Sequence, residues 1–285
     1  AESWELSCHK DGPSVVADGE YKGLTLNEYI EKAGKGVLGK NCERFENFPI
    51  LIKLIDAKDN LSVQVHPDND YAMRVEGEYG KTEMWYVVDC DEGATLLYGF
   101  KHEITKEEFA RRIADNTLLE VTNAVPVKKG DVFFIKSGTL HAIGKGILIA
   151  EIQQNSNTTY RIYDYGRVGK DGKPRELHVD KALDVTKLAP AEQYPETPVE
   201  KKDGYDIKLL SKCEYFTTYR VNVETKAELD ADENSFNSIL VLEGEPVISG
   251  GETVSAKKGE SVFISAGTGK YTVDGKCTFV LTKID

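Results

Sequence analysis

K-K-G-D-V-F-F-I-K-S-G-T-L-H at residues 128–141 returns as K-K-G-E-S-V-F-I-S-A-G-T-G-K at 257–270, a constant offset of 129. Each copy is a short apolar run between a K-K-G turn and a second Gly-marked turn, the pattern of a strand in a hairpin. Unrelated hairpins share such patterns too. Because many short, turn-punctuated strands surround both copies, the repeat is read here as two related β-barrels. In the second copy Lys270 stands where the first has His141, and no histidine follows His178. A histidine metal site is therefore expected in the first copy only.

Working outward, apolar or alternating runs predict strands at 50–56, 61–65, 84–89, 95–98, 132–135, 147–153 and 159–164. After a Pro-containing charged stretch they resume at 215–223, 238–242, 247–249, 261–264, 271–273 and 277–283. Residues 24–34 read as a short helix starting near Thr25 or Asn27 and stopped by Gly34, and 106–116 as a helical insert with Phe109 and Ile113 on one face. The expected class is mainly β: two jelly-roll β-barrels with a small helical insert. The expected division is a metal-binding domain over 1–185, a linker over 186–204 carrying Pro190, Pro195 and Pro198, and a C-terminal β domain without metal over 205–285.

The chain has 285 residues, enough for a sizeable core, with 40% hydrophobic and 29% charged residues, an ordinary globular balance. A net charge of −12 argues against a nucleic-acid partner, which calls for a basic field. An anionic small molecule could bind only through a local cluster of Lys and Arg. Cys8, Cys42, Cys90, Cys213 and Cys277 are odd in number and lack a C-x-x-C pair. That pattern fits reduced, cytoplasmic thiols better than a disulfide framework or thiolate zinc site. No apolar run reaches the roughly 18 residues of a membrane span, and A-E-S-W-E-L-S-C-H-K lacks a signal-peptide pattern.

Four residues carry the chemistry. In L-S-V-Q-V-H-P, 61–67, strand alternation projects Gln64 and His66 to one face and Val63 and Val65 to the other. Glu83 opens the apolar strand E-M-W-Y-V-V, and His141 follows F-F-I-K-S-G-T-L. Singly, each has a bland reading: exposed polar side chains, a surface carboxylate, a loop histidine. Together, two imidazoles and a carboxylate bind a divalent metal, with the glutamine amide as a further ligand. His9, His102 and His178 lie in polar stretches and read as surface residues.

S-V-Q-V-H-P-D, G-K-T-E-M-W, S-G-T-L-H-A-I and Q-N-S-N-T-T-Y-R-I-Y-D-Y-G-R resemble the short bacterial type I mannose-6-phosphate isomerases, which are cupins. E-S-W-E-L-S at 2–7 and V-V-A-D-G-E-Y-K-G at 15–23 resemble that family's N-terminal region. The resemblance is specific to about residue 185; beyond it the match is one of character, and the C-terminal part is expected to be a degenerate cupin. Family members usually carry a further segment before E-S-W-E, whereas this chain begins at Ala1. The resemblance implies one Zn²⁺ on Gln64, His66, Glu83 and His141, Arg161 as the catalytic arginine, and Lys53 and Lys81 facing a sugar phosphate. The implied reaction interconverts mannose 6-phosphate and fructose 6-phosphate by proton transfer between C1 and C2.

The residues themselves agree in part. Lys53 sits within L-I-K-L-I, where a charge needs a partner or a function. Glu151, in L-I-A-E-I-Q-Q, is an inward acid that could carry the proton or pair with a lysine. Arg161 shares a strand face with Thr159 and Tyr163, and a salt bridge with Asp164 is its bland reading. Lys136 and Arg167 are weaker phosphate candidates. Two rivals remain at this stage: a metal-dependent cupin oxygenase, since two His and a carboxylate also form the facial triad of non-haem iron enzymes, and a non-catalytic sugar-phosphate-binding cupin. No nucleic-acid or membrane partner is expected, and the chain is expected to be a monomer or weak homo-oligomer.

Overall fold

The apolar alternation of the strands is resolved by pairing sheets face to face, so that each strand buries one side. In the computed structural model, which describes residues 1–169 and 172–285, two such pairs are present. The first pair begins with β1 (Glu2–Leu6), β2 (Ile50–Ala57) and β3 (Val63–Val65), followed by β4 (Glu83–Cys90), β5 (Thr95–Phe100) and β6 (Thr122–Pro126). β7 (Val132–Ile135), β8 (His141–Ala142), β9 (Ile147–Gln154) and β10 (Tyr160–Tyr163) complete it. One sheet runs β1-β2-β9-β4-β7 and the other β10-β3-β8-β5-β6. Ile55, Trp85, Val87, Ile147 and Ile149 of the first meet Leu96, Tyr98 and Ile143 beside the second in a common core. Each such side chain contributes about 1.5–3 kcal/mol by leaving water.

Val63 and Val65 face away from that core, as alternation requires. They pack with Tyr160 and Ile162 against Phe109 and Ile113 of the helix Lys106–Ala114 and Ala182 of the helix Val179–Val185. The interior face of β3 is thereby left to Gln64 and the adjoining His66.

The second pair comprises β11 (Val199–Lys202), β12 (Tyr205–Lys212), β13 (Thr217–Val223), β14 (Lys226–Ala231) and β15 (Asn237–Gly244). β16 (Val247–Gly250), β17 (Glu252–Ser255), β18 (Ser261–Ile264), β19 (Gly269–Asp274) and β20 (Cys277–Lys283) follow. Its sheets run β11-β12-β13-β20-β15-β18 and β14-β19-β16-β17. Removing β11 and β10 leaves the same strand order in both barrels.

The registers coincide as well. Glu83 to Tyr86 pair with Ile135 to Val132, and Asn237 to Leu240 pair with Ile264 to Ser261. Trp85 faces Glu151 as Ile239 faces Leu281, and a bulge falls between Val87 and Asp89 as between Val241 and Glu243. Two internal copies account for this better than a shared hairpin. Asn237 thus takes the place of Glu83, Ile239 of Trp85 and Leu281 of Glu151; Gln153, opposite Glu83, corresponds to Lys283, the next inward residue after Leu281.

One expectation is corrected at the repeat's end. Lys270 is exposed, whereas the next residue, Tyr271, is buried in the core. Gly269, with φ +72°, is where the copies fall out of step, and a slip of one residue exchanges the faces. Tyr271 therefore occupies the inward place of His141, opposite Leu229 as His141 is opposite Gln64.

Contacts divide the chain differently from the expected 1–185, 186–204 and 205–285. One compact unit is Ala1–Ser3 with Leu54–Tyr194; the other is Trp4–Lys53 with Pro195–Asp285. Within the second unit, Tyr29 Oη lies 2.8 Å from Ser265 Oγ, Asn41 donates to the Ile284 carbonyl, and Phe48 packs on Phe236. The outer face of β15 and its neighbours carries Phe236 and Phe263 and needs a cover. The helix Leu26–Ala33, closed by a Thr25–Glu28 capping box and ended at Gly34, belongs to that cover. The expected linker also contains strand β11.

Candidate metal centre

His66, Glu83 and His141 arrive from three strands of the first barrel. Glu83 opens β4, His66 directly follows β3, and His141 opens β8. The turn before His141 is tied to the first ligand: Gly138, with φ +85°, donates its N–H to the His66 carbonyl at 2.8 Å. All three side chains are buried, at 1%, 0% and 0% exposure, and one ligand atom from each lies within 4.8 Å of the others. His66 Nε2 is 3.7 Å from Glu83 Oε2, His141 Nε2 is 3.4 Å from Glu83 Oε1, and the two Nε2 atoms are 3.2 Å apart.

The ring orientations explain what this arrangement accepts. His66 Nδ1 lies 2.9 Å from the Thr158 carbonyl and His141 Nδ1 lies 2.8 Å from the Thr139 carbonyl. A carbonyl only accepts, so each Nδ1 carries the proton and each Nε2 presents a lone pair. Burial lowers His141 to about 4, so its imidazole is neutral at physiological pH. Two lone pairs and a carboxylate converging in a dry interior form a donor set for a divalent cation, and the backbone carbonyls hold the rings in place. The residues present therefore fit a metal.

Gln64 lies between His141 and Arg161: it pairs with His141 of β8 on one side and Arg161 of β10 on the other. Directly opposed residues share a face, so all three point inward. Arg161 is half-buried. Its Nη1 donates to the Glu176 carbonyl, its backbone N–H donates to His178 Nδ1, and among the described residues its Nε has no hydrogen-bond partner. Burial and the neighbouring Arg175 and Arg167 lower its pKa, with Asp164 opposing them. Asp164, the partner in the bland reading of Arg161, pairs with Arg167 and Arg175.

Lys81 and Glu151 extend the centre. Lys81 Nζ is 2.9 Å from Glu83 Oε2 and 3.7 Å from Glu151 Oε1. Burial works against its charge, but Glu151 and Glu83 outweigh it and hold the pKa above the ordinary lysine value. Trp85 Nε1 donates to Glu151 Oε2 at 2.8 Å, and its ring meets His141 edge-on with centroids 5.3 Å apart. Lys53 is buried with its ammonium 4.9 Å from the Trp4 ring centroid, and contacts group it with the second unit. Lys136 is exposed beside Glu192, and Arg167 is held by Asp164 and the Asn60 carbonyl.

Sequence reasoning missed Trp85 and Gln153. Gln153 lies opposite Glu83, is fully buried, and spends its amide on the Gln154 and Ser156 carbonyls. Its Oε1 has no partner among the described residues. Alternation within E-I-Q-Q, counted from Glu151, was the available signal. His9, expected at the surface, is buried edge-on to Trp4, and His178 is half-buried at the start of a helix. His102 is exposed as expected.

Known proteins resemble this chain along its whole length. Residues 1–93 match the family model of the type I phosphomannose isomerase catalytic domain, and 206–284 match that of the mannose-6-phosphate isomerase cupin domain. Mannose-6-phosphate isomerase ManA of Bacillus subtilis is 39% identical over 99% of this chain and 89% of its own. The mannose-6-phosphate isomerase of Streptococcus mutans is 38% identical over 96% and 85%. A crystal structure of the Bacillus subtilis mannose 6-phosphate isomerase superposes with a TM-score of 0.92 at 38% identity, covering 99% of this chain and 88% of that one. A zinc-bound mannose 6-phosphate isomerase shares the fold at 16% identity and a TM-score of 0.79, covering 100% and 91%.

Proposed function

The chain belongs to the type I phosphomannose isomerase family, and from that premise we propose that its buried His66–Glu83–His141 centre holds zinc and serves the interconversion of mannose 6-phosphate and fructose 6-phosphate. The observation that carries this is the pair of imidazole Nε2 atoms 3.2 Å apart beside a buried carboxylate. Gln64, on the same inward face as His141, is the fourth ligand. Bound zinc would polarise the sugar oxygens at C1 and C2 as a Lewis acid.

The rest of the work falls to the chain's own side chains. The aldose loses a proton from C2 and regains one at C1, so one group must accept and return it on the same face. Glu151 is that carboxylate. Trp85 Nε1 fixes one oxygen and the Lys81 ammonium lies by the other, which keeps the side chain oriented. Arg161, permanently charged and facing inward from β10, stabilises the negative charge that develops on the enediolate oxygens. Lys81 is assigned to the sugar phosphate. Gln153 Oε1 is an acceptor for a sugar hydroxyl.

The test measures turnover of mannose 6-phosphate and metal content together. His141→Ala is expected to lose both metal and activity, and Arg161→Ala to lose activity with metal retained. Full activity in a metal-free preparation would overturn the proposal.

A further inference from the structure

The second barrel keeps an opening where the first gathers His66, Glu83 and His141. A cavity of about 330 Å³ is lined by Leu229, Asn237, Leu281 and Lys283, which stand in the places of Gln64, Glu83, Glu151 and Gln153 by register. The metal-binding side chains are absent from it. We propose that this opening is a second small-molecule site, and that its ligand is a neutral, hydroxyl-rich molecule of monosaccharide size.

The lining separates into three chemistries. Tyr205, Ile207, Leu209 and Tyr219 come from neighbouring strands of one sheet and remain only half-buried. Apolar surface left open in a barrel interior forgoes the free energy of burial, and a barrel with a purely structural role would close over it. Two tyrosine rings and aliphatic side chains suit the C–H face of a sugar ring.

Asn237 supplies the polar point. It is 2% exposed, and its Nδ2 donates to the Asp230 carbonyl and to Tyr271 Oη, both at 2.9 Å. The Asp230 carbonyl can only accept, which fixes the amide orientation. With both amide hydrogens spent, Oδ1 is the atom Asn237 can offer to a hydroxyl in the cavity it lines.

Charge argues for a neutral ligand. Lys202 is paired with Glu200 at 3.1 Å, and Lys283 with Asp285 at 2.8 Å. An anion would have to break these pairs on a chain of net charge −12. β11, which brings Glu200 and Lys202 to the rim opposite Ile207 and Tyr205, has no counterpart in the first barrel. The addition makes the rim polar without making it cationic.

Saturation-transfer NMR on the full chain, with mannose, fructose, glucose and mannitol as probes, tests the site. At least one probe is expected to bind, to go on binding His66→Ala, and to bind Ile207→Trp about tenfold more weakly because the indole fills the cavity. Tyr219→Ala, which removes one ring, is the second variant; thermal melting identifies a misfolded protein, and the folded variant then decides. Isomerase kcat is expected to be unchanged in Ile207→Trp. The proposal is overturned if no probe binds, or if binding is lost in His66→Ala and kept in both second-barrel variants. It is equally overturned if the cavity takes only inorganic phosphate or only the apolar dye anilinonaphthalene sulfonate.

Discussion

The two barrels share a strand order, a hairpin register and a bulge, and differ in the side chains they turn inward. Glu83, Glu151 and Gln153 in the first face the same interior as Asn237, Leu281 and Lys283 in the second. Register is held by backbone pairing and by the apolar residues between the polar ones, Trp85 and Val87 in one copy and Ile239 and Val241 in the other. The inward polar positions carry little of that load, so one scaffold accommodates the His66–Glu83–His141 cluster in one copy and a cavity without those side chains in the other. Each barrel also has one strand the other lacks, β10 with Arg161 and β11 with Glu200 and Lys202.

The comparison breaks most sharply at the ligands. His141→Ala is expected to lower kcat/KM by roughly 10³-fold, since the metal's several kcal/mol of charge stabilisation go with it. Tyr271→Phe in the corresponding place should leave kcat/KM unchanged and cost about 1 kcal/mol in denaturant stability, the value of one hydrogen bond. Equal losses of activity in the two variants would refute the assignment of roles.

Arg161→Ala is the next largest effect, roughly 10²-fold in kcat with stoichiometric metal retained in elemental analysis. Trp85→Phe keeps the ring but removes the donor to Glu151, and about a tenfold fall in kcat is expected, from roughly 1–1.5 kcal/mol. Ile239→Val, its counterpart, should cost about 1 kcal/mol of stability and no activity.

The turn glycines sharpen the comparison further. Gly138 and Gly267 hold the same place in the repeat with φ +85° and +81°. A Cβ on Gly138 would lie 2.9 Å from the Val185 carbonyl oxygen, whereas one on Gly267 would meet nothing. Both substitutions to Ala should destabilise by about 1 kcal/mol through backbone strain, and Gly138→Ala by more, with metal affinity falling alongside because that turn is bonded to His66.

The smallest effect is one of pH. Burial raises the Asp164 pKa, and Arg175 and Arg167 outweigh it, so the carboxyl titrates below the usual range. Its contribution is present above the unfolded value of about 4 and disappears as pH falls through the lower folded value. Acid unfolding followed by circular dichroism should therefore begin at higher pH in wild type than in Asp164→Asn relative to each protein's own stability at neutral pH.

Much of the candidate metal centre was legible in the chain. Strand alternation assigned Gln64 and His66 to one face and Arg161 to a face apart from Tyr160 and Ile162, because side-chain direction in a strand depends only on the residue count. The repeat at 128–141 and 257–270 disclosed the two barrels for the same reason, and family motifs pointed to Glu83 and His141. Lys270 was misplaced because one glycine with positive φ shifts the count. His9 was misread because burial depends on what packs over a residue, here Trp4.

Which side chains share a face and which segments repeat can be read along the chain, since both follow from local geometry. Three features come from long-range folding instead: Glu83 meets two histidines, backbone carbonyls of Thr158 and Thr139 aim both Nε2 atoms at one point, and Trp4–Lys53 folds with residues 195–285. Those outcomes depend on pairing between strands tens of residues apart, and no local periodicity encodes which distant strand a given strand will choose.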